Sequence, residues 1–230
     1  MTKMNVLVVA AHPDDEVLGC GGTMARLANE GHDVHVLIVA EGVTSRAPLR
    51  ERETKASELS ELARCAETAK VILGSASVKV CNFPDNRMDS VDLLDVVKLV
   101  EGEITRHRPQ MLFTHHGGDV NVDHRVVHDA VVAACRPQPD HPVRQLLFFE
   151  VASSTEWRPP GFVGGFSPNC FYDIERYLER KLDALRAYST EIRPFPHPRS
   201  VEAVEHLARW RGATVGCHAA EAFMVGRIIA

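Results

Sequence analysis

The sequence offers little that is typical of secreted, membrane-spanning or nucleic-acid-binding proteins. No apolar run approaches the roughly 18 residues that a membrane span needs, and the chain does not open with the apolar region and cleavage site of a secretory signal. Six cysteines are scattered without a CxxC pair, which favours free thiols in a reducing compartment. The net charge of -5 provides no attraction for nucleic acid or an anionic membrane surface. We therefore expect a cytoplasmic protein that binds neither.

What the sequence does contain is ordinary globular composition together with many histidines. Hydrophobic residues make up 45% and charged residues 25% of the 230 residues, and twelve residues are histidine. This length predicts a single domain over 1–230 with a sizeable core, although two small lobes would also fit. A homo-oligomer is compatible with the sequence. The histidine count directs attention to a metal site.

Apolar runs alternate with amphipathic segments through the first two thirds of the chain. Strands are predicted at 5–10, 34–40, 78–83, 111–114 and 145–150, and helices at 21–30, 50–72, 91–107 and 124–135. This rhythm predicts an α/β fold whose mostly parallel sheet is flanked by helices on both faces. The last third is predicted to contain a loop at 153–169, a short strand at 171–174 and helices at 175–189 and 200–211.

Polar residues cluster where the predicted strands end, which is where open parallel sheets bind ligands. His12 and Asp15 follow the first strand and offer an imidazole nitrogen and a carboxylate oxygen, both suitable zinc ligands. Asp14, between them, would act as general base on a metal-activated water. The alternative is that Asp14 or Asp15 only caps the following helix.

A second polar cluster, at 119–124, follows the fourth predicted strand. His124 is the predicted third metal ligand, and Asp123 would support a ligand from outside the coordination sphere. His124 and His128, one helical turn apart, offer the alternative of a two-histidine metal face, and His124 could also simply lie on an exposed helix. We expect one Zn2+ per chain, with Fe2+ or Co2+ as substitutes that the same ligands accept.

The run AHPDDE at 11–16, followed by LGCGG at 18–22, resembles the opening motif of the LmbE-like (PIG-L) family of zinc N-deacetylases. Residues 119–124 resemble the family's second metal motif, and residues 83–87 and 220–223 resemble segments of bacterial members that act on sugars. The resemblance implies a Rossmann-like fold, a single zinc and removal of an acetyl group from an N-acetylated amino sugar. The implied metal ligands are His12, Asp15 and His124, and the implied base is Asp14.

One position departs from the family pattern. Many members have a histidine where Asn121 stands. Asn121 can donate a hydrogen bond to an oxyanion but cannot supply a proton to a leaving amine. That proton would come from a histidine, with His116 and His197 as the leading candidates and His115 as another, or from Asp14 after it has taken the water's proton.

Four residues are predicted to bind substrate. Arg46 and Arg50 follow the second strand, near where the resemblance places a substrate-binding arginine, and Asn86 and Arg87 lie in the turn after the third strand. The alternative for the two arginines is that they are solvated charges at the start of a helix. Trp157 is either a residue that stacks on a sugar ring or a packing residue.

Three other functions stay open at this point. A dinucleotide-binding protein would explain the glycines at 19–22, but those glycines come later than in the nucleotide fold, where they follow the first strand directly. Another metal-dependent amidase or esterase would use the same activated water. A non-catalytic sugar-binding module would have no need of Asp14.

Overall fold

The computed structural model describes residues 3–159 and 164–230, in which seven strands form one sheet. The strands are β1 (Asn5–Ala10), β2 (Asp33–Ala40), β3 (Ser77–Phe83), β4 (Met111–His115), β5 (Gln145–Phe149), β6 (Cys170–Asp173) and β7 (Ala220–Ile228). Their order is β3-β2-β1-β4-β5-β7-β6. The first five are parallel, and β7 runs antiparallel to both of its neighbours.

Within the described residues, six α-helices cover the sheet. They are α1 (Asp15–Asn29), α2 (Ala56–Leu73), α3 (Leu93–His107), α4 (Val122–Ala134), α5 (Leu178–Ala187) and α6 (Val201–Ala213). One apolar core contains residues of α1, α2, α5 and α6, and the other contains residues of α3 and α4. The predicted α/β fold, with a mostly parallel sheet and helices on both faces, is therefore confirmed. Among the described helices, none is long and apolar enough to cross a membrane.

Strand β1 explains why the sequence of a central strand is apolar throughout. Val6 and Val8 belong to one core, whereas Leu7 and Val9 belong to the other, and all four are buried. A strand covered on both faces has no solvent-facing position for a polar side chain. From β1 the chain adds β2 and β3 on one side of the sheet and then β4 and β5 on the other, so the strand order reverses between β1 and β4. Open α/β sheets bind their ligands at such a switch point.

The glycines after the first motif lie inside helix α1 and do not form a phosphate-binding loop. A side chain at Gly19 would overlap the ring of Phe149, and one at Gly22 would overlap Ile174, so both glycines allow the helix to approach neighbouring elements. Helix α1 is interrupted at Cys20, where the backbone leaves helical geometry at φ -149°. This placement removes the structural basis for the dinucleotide-binding alternative.

Several element boundaries differ from prediction. Helix α1 begins at Asp15 rather than at 21, so part of the predicted metal motif is itself helical, and α2 begins at Ala56 rather than at 50. Strand β7 was not predicted, because its buried half contains the charged residue Glu221 and shows neither an apolar run nor a clean alternation. Within the predicted loop at 153–169, residues 155–157 form a 3-10 turn, and residues 160–163 lie outside the described part of the chain.

Candidate metal centre and active site

The candidate site lies at the carboxyl ends of β1 and β4, which pair directly in the centre of the sheet. The loop after β1 carries His12 and leads into α1, whereas His124 lies in the first turn of α4. The two ends are joined by a hydrogen bond of 2.7 Å from the backbone N–H of Ala11 to Nε2 of His115. The ring of His115 stacks on that of His124, with 4.0 Å between ring centroids. Topology therefore brings two distant sequence motifs together.

The structure brings His12, Asp15 and His124 together, with one donor atom from each lying within 4.8 Å of the others. Asp15 Oδ2 lies 3.2 Å from Nδ1 of His12 and 3.2 Å from Nε2 of His124. The two imidazole rings are 5.4 Å apart between centroids. Two nitrogen donors and one carboxylate oxygen form the donor set of many catalytic zinc sites.

Each histidine of this set is held by a carboxylate on its other ring nitrogen. Nε2 of His12 donates to Asp123 Oδ2 at 2.9 Å, and Nδ1 of His124 lies 3.2 Å from Asp119 Oδ2. These contacts fix protons on the outer nitrogens, so Nδ1 of His12 and Nε2 of His124, which face Asp15, would be the atoms that donate to a metal. Carboxylate support of this kind orients metal-binding histidines and increases their basicity.

Two observations show that the donor set suits a cation. Asp15 Oδ1 and His124 Nε2 are buried, and neither makes a hydrogen bond within the described residues. Burial alone would lower the pKa of His12, but the carboxylates of Asp123 and Asp15 outweigh it and raise that pKa well above its usual value. Burial would likewise raise the pKa of Asp15, but the two imidazoles hold it well below its usual value. A divalent ion fits these unsatisfied donors.

A second group, His12, Asp85 and Asp123, is equally close-packed but has fewer free donor atoms. Both oxygens of Asp123 are engaged, because Oδ2 accepts the backbone N–H of Asn86 at 2.6 Å and Oδ1 accepts that of Met88 at 2.9 Å. Asp85 Oδ1 lies 3.4 Å from Nε2 of His12. Asp85 and Asp123 are therefore placed to orient His12 through its Nε2 and not to bind a metal themselves.

Asp14 is buried between the donor set and a cavity, in a strained backbone conformation. Its φ of 102° lies in the left-handed region, which costs a non-glycine residue about 1–3 kcal/mol and is often found at functional sites. Its Oδ2 makes no hydrogen bond to the part of the chain that the structure describes, and it lies 3.5 Å from a guanidinium nitrogen of Arg199. Burial raises the pKa of Asp14 to about 7, and Arg199 acts in the opposite direction. A cation at the adjoining donors would also lower that pKa.

A cavity of about 220 Å³ opens beside His12 and Asp14. Its wall is polar except for Pro13, Gly42 and Leu62. The other lining residues are His12, Asp14, Ser45, Arg46, Asp85, Asn86, Asn121, Glu191, Arg193 and Arg199. Three residues predicted from sequence to contact substrate or intermediate, Arg46, Asn86 and Asn121, therefore lie on the cavity wall. Their roles stay predictions.

Asn121 has a structural task in addition to its place on the wall. Its side-chain oxygen accepts the backbone N–H of Asp123 at 2.8 Å and so caps helix α4. Its Nδ2 donates to Asn86 Oδ1 at 2.9 Å. The cap fixes the side-chain amide beside the cavity, with the carboxylate of Asp123 turned inwards.

Four other predicted residues do not line this cavity. Arg50 donates to both oxygens of Glu41, and Arg87 donates to the carbonyl of Pro48 at 2.8 Å. His116 Nε2 contacts the carbonyl of Gly164 at 3.2 Å. His197 Nδ1 accepts the backbone N–H of Arg199 at 3.0 Å. The guanidinium groups of Arg50 and Arg87 are thus engaged elsewhere, and we leave both out of the proposed site.

Sequence reasoning assigned no role to several residues that the structure places here. Asp119 lies in the second polar cluster, but nothing in its spacing singles it out as the partner of His124. Asp85 and Glu191 line the cavity, and both are buried. Glu191 receives the guanidinium of Arg46 at 2.7 Å, a contact between segments 145 residues apart in sequence. Only tertiary structure reveals such a contact.

The sequence profile of the PIG-L family, described as GlcNAc-PI de-N-acetylase, matches residues 7–135, more than half of the chain. The chain belongs to this family. The match includes both polar clusters and the four strands that position them. The family is enzymatic, and curated relatives are N-deacetylases, so the predictions of a PIG-L family member and of a hydrolase are confirmed.

Two curated relatives span most of the chain. The uncharacterized deacetylase YaiS of Escherichia coli K12 is 27% identical over 194 residues, which cover 82% of this chain and 92% of that protein. A 1D-myo-inositol 2-acetamido-2-deoxy-alpha-D-glucopyranoside deacetylase of Rhodococcus erythropolis is 31% identical over 226 residues, which cover 87% of this chain and 71% of the relative. Among solved structures, the 4-carboxy-2-hydroxymuconate hydratase GalB of Pseudomonas putida KT2440 superposes with a TM-score of 0.77 at 21% identity, covering 100% of this chain and 98% of that one. At that identity the similarity concerns the fold alone.

Proposed function

We propose that the protein is a zinc-dependent N-deacetylase that removes the acetyl group from an N-acetylglucosamine-type amino sugar. The observation that carries the proposal is the juxtaposition of the His12, Asp15 and His124 donors with buried Asp14 at the edge of one polar cavity. The named substrate of the Rhodococcus relative, a 2-acetamido glucoside, supports an acetamido sugar. We also propose one zinc per chain, a single domain and a cytoplasmic location.

His12, Asp15 and His124 would hold the metal, which, when bound, supplies a Lewis acid that activates water and polarises a carbonyl. Residues of the chain would carry out the proton transfers. Asp14 Oδ2 accepts a proton from the attacking water while the water oxygen adds to the amide carbon. The C–N bond then breaks, the proton passes to the leaving nitrogen, and acetate and a free amino sugar result.

Asp14 is the best-placed group for both proton transfers. Asp14 lines the cavity, whereas His116 and His197 do not, and the buried ring of His115 stacks on that of His124. We therefore propose that Asp14 acts first as base and then as acid. Asn121 replaces the histidine of other family members and would contribute a hydrogen bond instead of a proton.

The wall of the cavity favours a sugar over an apolar acyl compound. Arg46, Asn86 and Arg199 present donors, and Asp85 and Glu191 present acceptors, in a space of about 220 Å³. Ring hydroxyls both donate and accept hydrogen bonds, so they match a wall of mixed polarity. Hydrogen bonds to neighbouring residues hold Arg46, Glu191, Asp85 and Asn86 in place, which limits the entropy lost on binding.

The proposal is tested by measuring acetate release from a panel of substrates by the zinc-loaded and the chelator-treated protein. The panel contains N-acetylglucosamine, its glycosides, an N-acetylated peptide and an O-acetyl ester. We expect zinc-dependent release from the acetamido sugars. Release from the ester or peptide alone would favour the alternative amidase or esterase. Sugar binding without release at any metal loading would favour the non-catalytic module.

A further inference from the structure

We propose that Trp157 and His197 form an aromatic platform that binds a second pyranose ring, linked to the N-acetylated one. The proposal rests on the proposed deacetylase function and narrows its substrate class to a disaccharide or another glycoside with a second sugar ring. Trp157 is 52% exposed and lies at the carboxyl-end rim of the sheet, in the segment that follows β5. An exposed tryptophan at this rim is either incidental or a binding residue.

Several side-chain hydrogen bonds hold the segment that carries Trp157. Thr155–Trp157 forms a 3-10 turn, and the hydroxyl of Thr155 donates to Asp119 Oδ2 at 2.6 Å. The hydroxyl of Ser154 donates to the other oxygen of Asp119. Glu156 folds back and accepts the backbone N–H of Ser153 at 2.6 Å. The turn is therefore anchored by hydrogen bonds of the residues that directly precede its exposed indole.

The anchor connects the indole to the metal centre. Asp119, which receives both hydroxyls of the turn, also contacts Nδ1 of the proposed metal ligand His124 at 3.2 Å. A single buried carboxylate thus sets the position of Trp157 and the orientation of His124. Rigid positioning of a binding residue relative to the reacting atoms is the arrangement that fixes a substrate's register.

His197 connects the indole to the cavity wall. Its ring lies 6.0 Å from that of Trp157 in a T-shaped contact, and its Nδ1 accepts the backbone N–H of Arg199 at 3.0 Å. The guanidinium of Arg199 lines the cavity and lies 3.5 Å from Asp14 Oδ2. The two aromatic rings therefore lie close to Arg199, a residue of the cavity wall.

The chemistry of the platform suits a sugar ring. A tryptophan offers a large, rigid apolar face together with a polar N–H, and it loses little conformational entropy when it binds a ligand. A pyranose has an apolar face of C–H groups and a rim of hydroxyls. The first ring would occupy the polar cavity beside Asp14, and the second would lie on Trp157, with hydroxyls near the guanidinium of Arg199.

The chain offers a matched control for this residue. Trp210 on α6 is 65% exposed, and it makes neither a side-chain hydrogen bond nor an aromatic contact within the described residues. Steady-state kinetics with the zinc-loaded protein compare kcat/KM for N,N'-diacetylchitobiose and for N-acetylglucosamine. We expect Trp157→Ala to lower the disaccharide-to-monosaccharide ratio by about tenfold, Trp157→Phe to retain most of it, and Trp210→Ala to leave it unchanged. An unchanged ratio in Trp157→Ala would overturn the platform.

A binding measurement separates the platform from the proposed function. Saturation-transfer NMR with the wild-type protein reports which ring of the disaccharide contacts the protein. If no acetate is released but the second ring receives saturation, and Trp157→Ala abolishes that transfer while Trp210→Ala retains it, the platform stands and the deacetylase proposal fails. If acetate is released but the second ring receives no saturation, the platform is wrong and the deacetylase proposal stands.

Discussion

Asp123 lies 2.9 Å from Nε2 of His12, and the same carboxylate receives the backbone N–H groups of Asn86 and Met88. One buried side chain thus ties the loop after β3 to the loop after β1. The tie leaves Nδ1 of His12 directed at Asp15. The geometry of the proposed metal centre depends on a residue that does not itself contact the metal.

We predict that Asp123→Asn weakens zinc binding by about 10- to 100-fold, because the amide no longer accepts the imidazole proton as a carboxylate does. Competition titration with a chelator measures this affinity. The control is Asp129→Asn, since Asp129 lies on the same helix but is exposed. Equal zinc affinity in Asp123→Asn and Asp129→Asn would show that Asp123 does not support His12.

Arg46 and Arg50 are expected to behave differently, although the sequence suggested a substrate role for both. Arg46 lines the cavity, whereas Arg50 is paired with Glu41. We predict that Arg46→Ala raises KM about tenfold or more because it removes a donor to the substrate. Arg50→Ala should leave KM within about twofold. Steady-state kinetics on the same acetamido sugar compare them, and a larger effect at Arg50 would refute the assignment.

The buried pair of Lys181 and Glu221 gives a prediction about stability. Lys181 Nζ donates to Glu221 Oε1 at 2.5 Å, and both side chains are nearly inaccessible. We predict that Lys181→Met lowers the free energy of unfolding by about 3–5 kcal/mol, because the buried carboxylate of Glu221 loses its cation and keeps the backbone N–H groups of Gly22 and Thr23 as its remaining partners. The exposed pair of Lys98 and Glu101 is the control, and Lys98→Met should cost less than about 1 kcal/mol.

Denaturant unfolding measures both changes. The double variant Lys181→Met/Glu221→Gln should recover part of the lost free energy of unfolding, because it also removes the unpaired negative charge of Glu221. A Lys181→Met protein as stable as Lys98→Met would contradict this account of the pair.

A pH dependence of stability is expected from His35, which lies near the amino end of β2, whereas the candidate metal centre lies at the carboxyl ends of β1 and β4. Burial and the neighbouring imidazole of His107 lower the pKa of His35 from its usual 6.5. The unfolded chain therefore binds more protons below about pH 6.5, and the free energy of unfolding should fall as the pH decreases from there towards the folded pKa. Urea unfolding at about pH 7.5 and 5.5 should reveal a smaller loss in His35→Gln than in wild type. Identical losses would exclude the contribution.

Much of the fold was predictable because the first five strands are rich in apolar residues, and the central strands β1, β2 and β4 are largely buried. Their apolar runs are interrupted by amphipathic helices, and that pattern determines a parallel sheet and the rim where its loops meet. Strand β7 was not predictable, because Glu221 occupies a buried position that depends on distant partners, namely Lys181 and the backbone N–H groups of Gly22 and Thr23. From sequence alone, a charged residue is predicted to be exposed, because its buried partner is not known.

The candidate site was predictable to the extent that its residues lie in short motifs. The spacing of His12 and Asp15, and the position of His124 after β4, suffice to suggest a shared centre. The partners that orient them come from long-range packing: Asp119 is fixed by Ser154 and Thr155, and Glu191 by Arg46. The sequence could not distinguish Arg46 from Arg50, because two arginines that follow one strand look alike until the structure shows that Arg50 pairs with Glu41.

The most direct test of the account is a comparison of wild type with Asp14→Asn at equal zinc content. The substrate is whichever acetamido sugar the wild type hydrolyses fastest, zinc is quantified by elemental analysis, and acetate release is followed under single-substrate steady-state conditions. Because Asp14 is proposed to move the proton and not to hold the metal, the variant should retain its zinc and lose about 100- to 10,000-fold in kcat. Wild-type turnover in a zinc-replete Asp14→Asn protein would contradict the central claim, and loss of zinc would mean that Asp14, not Asp15, binds the metal.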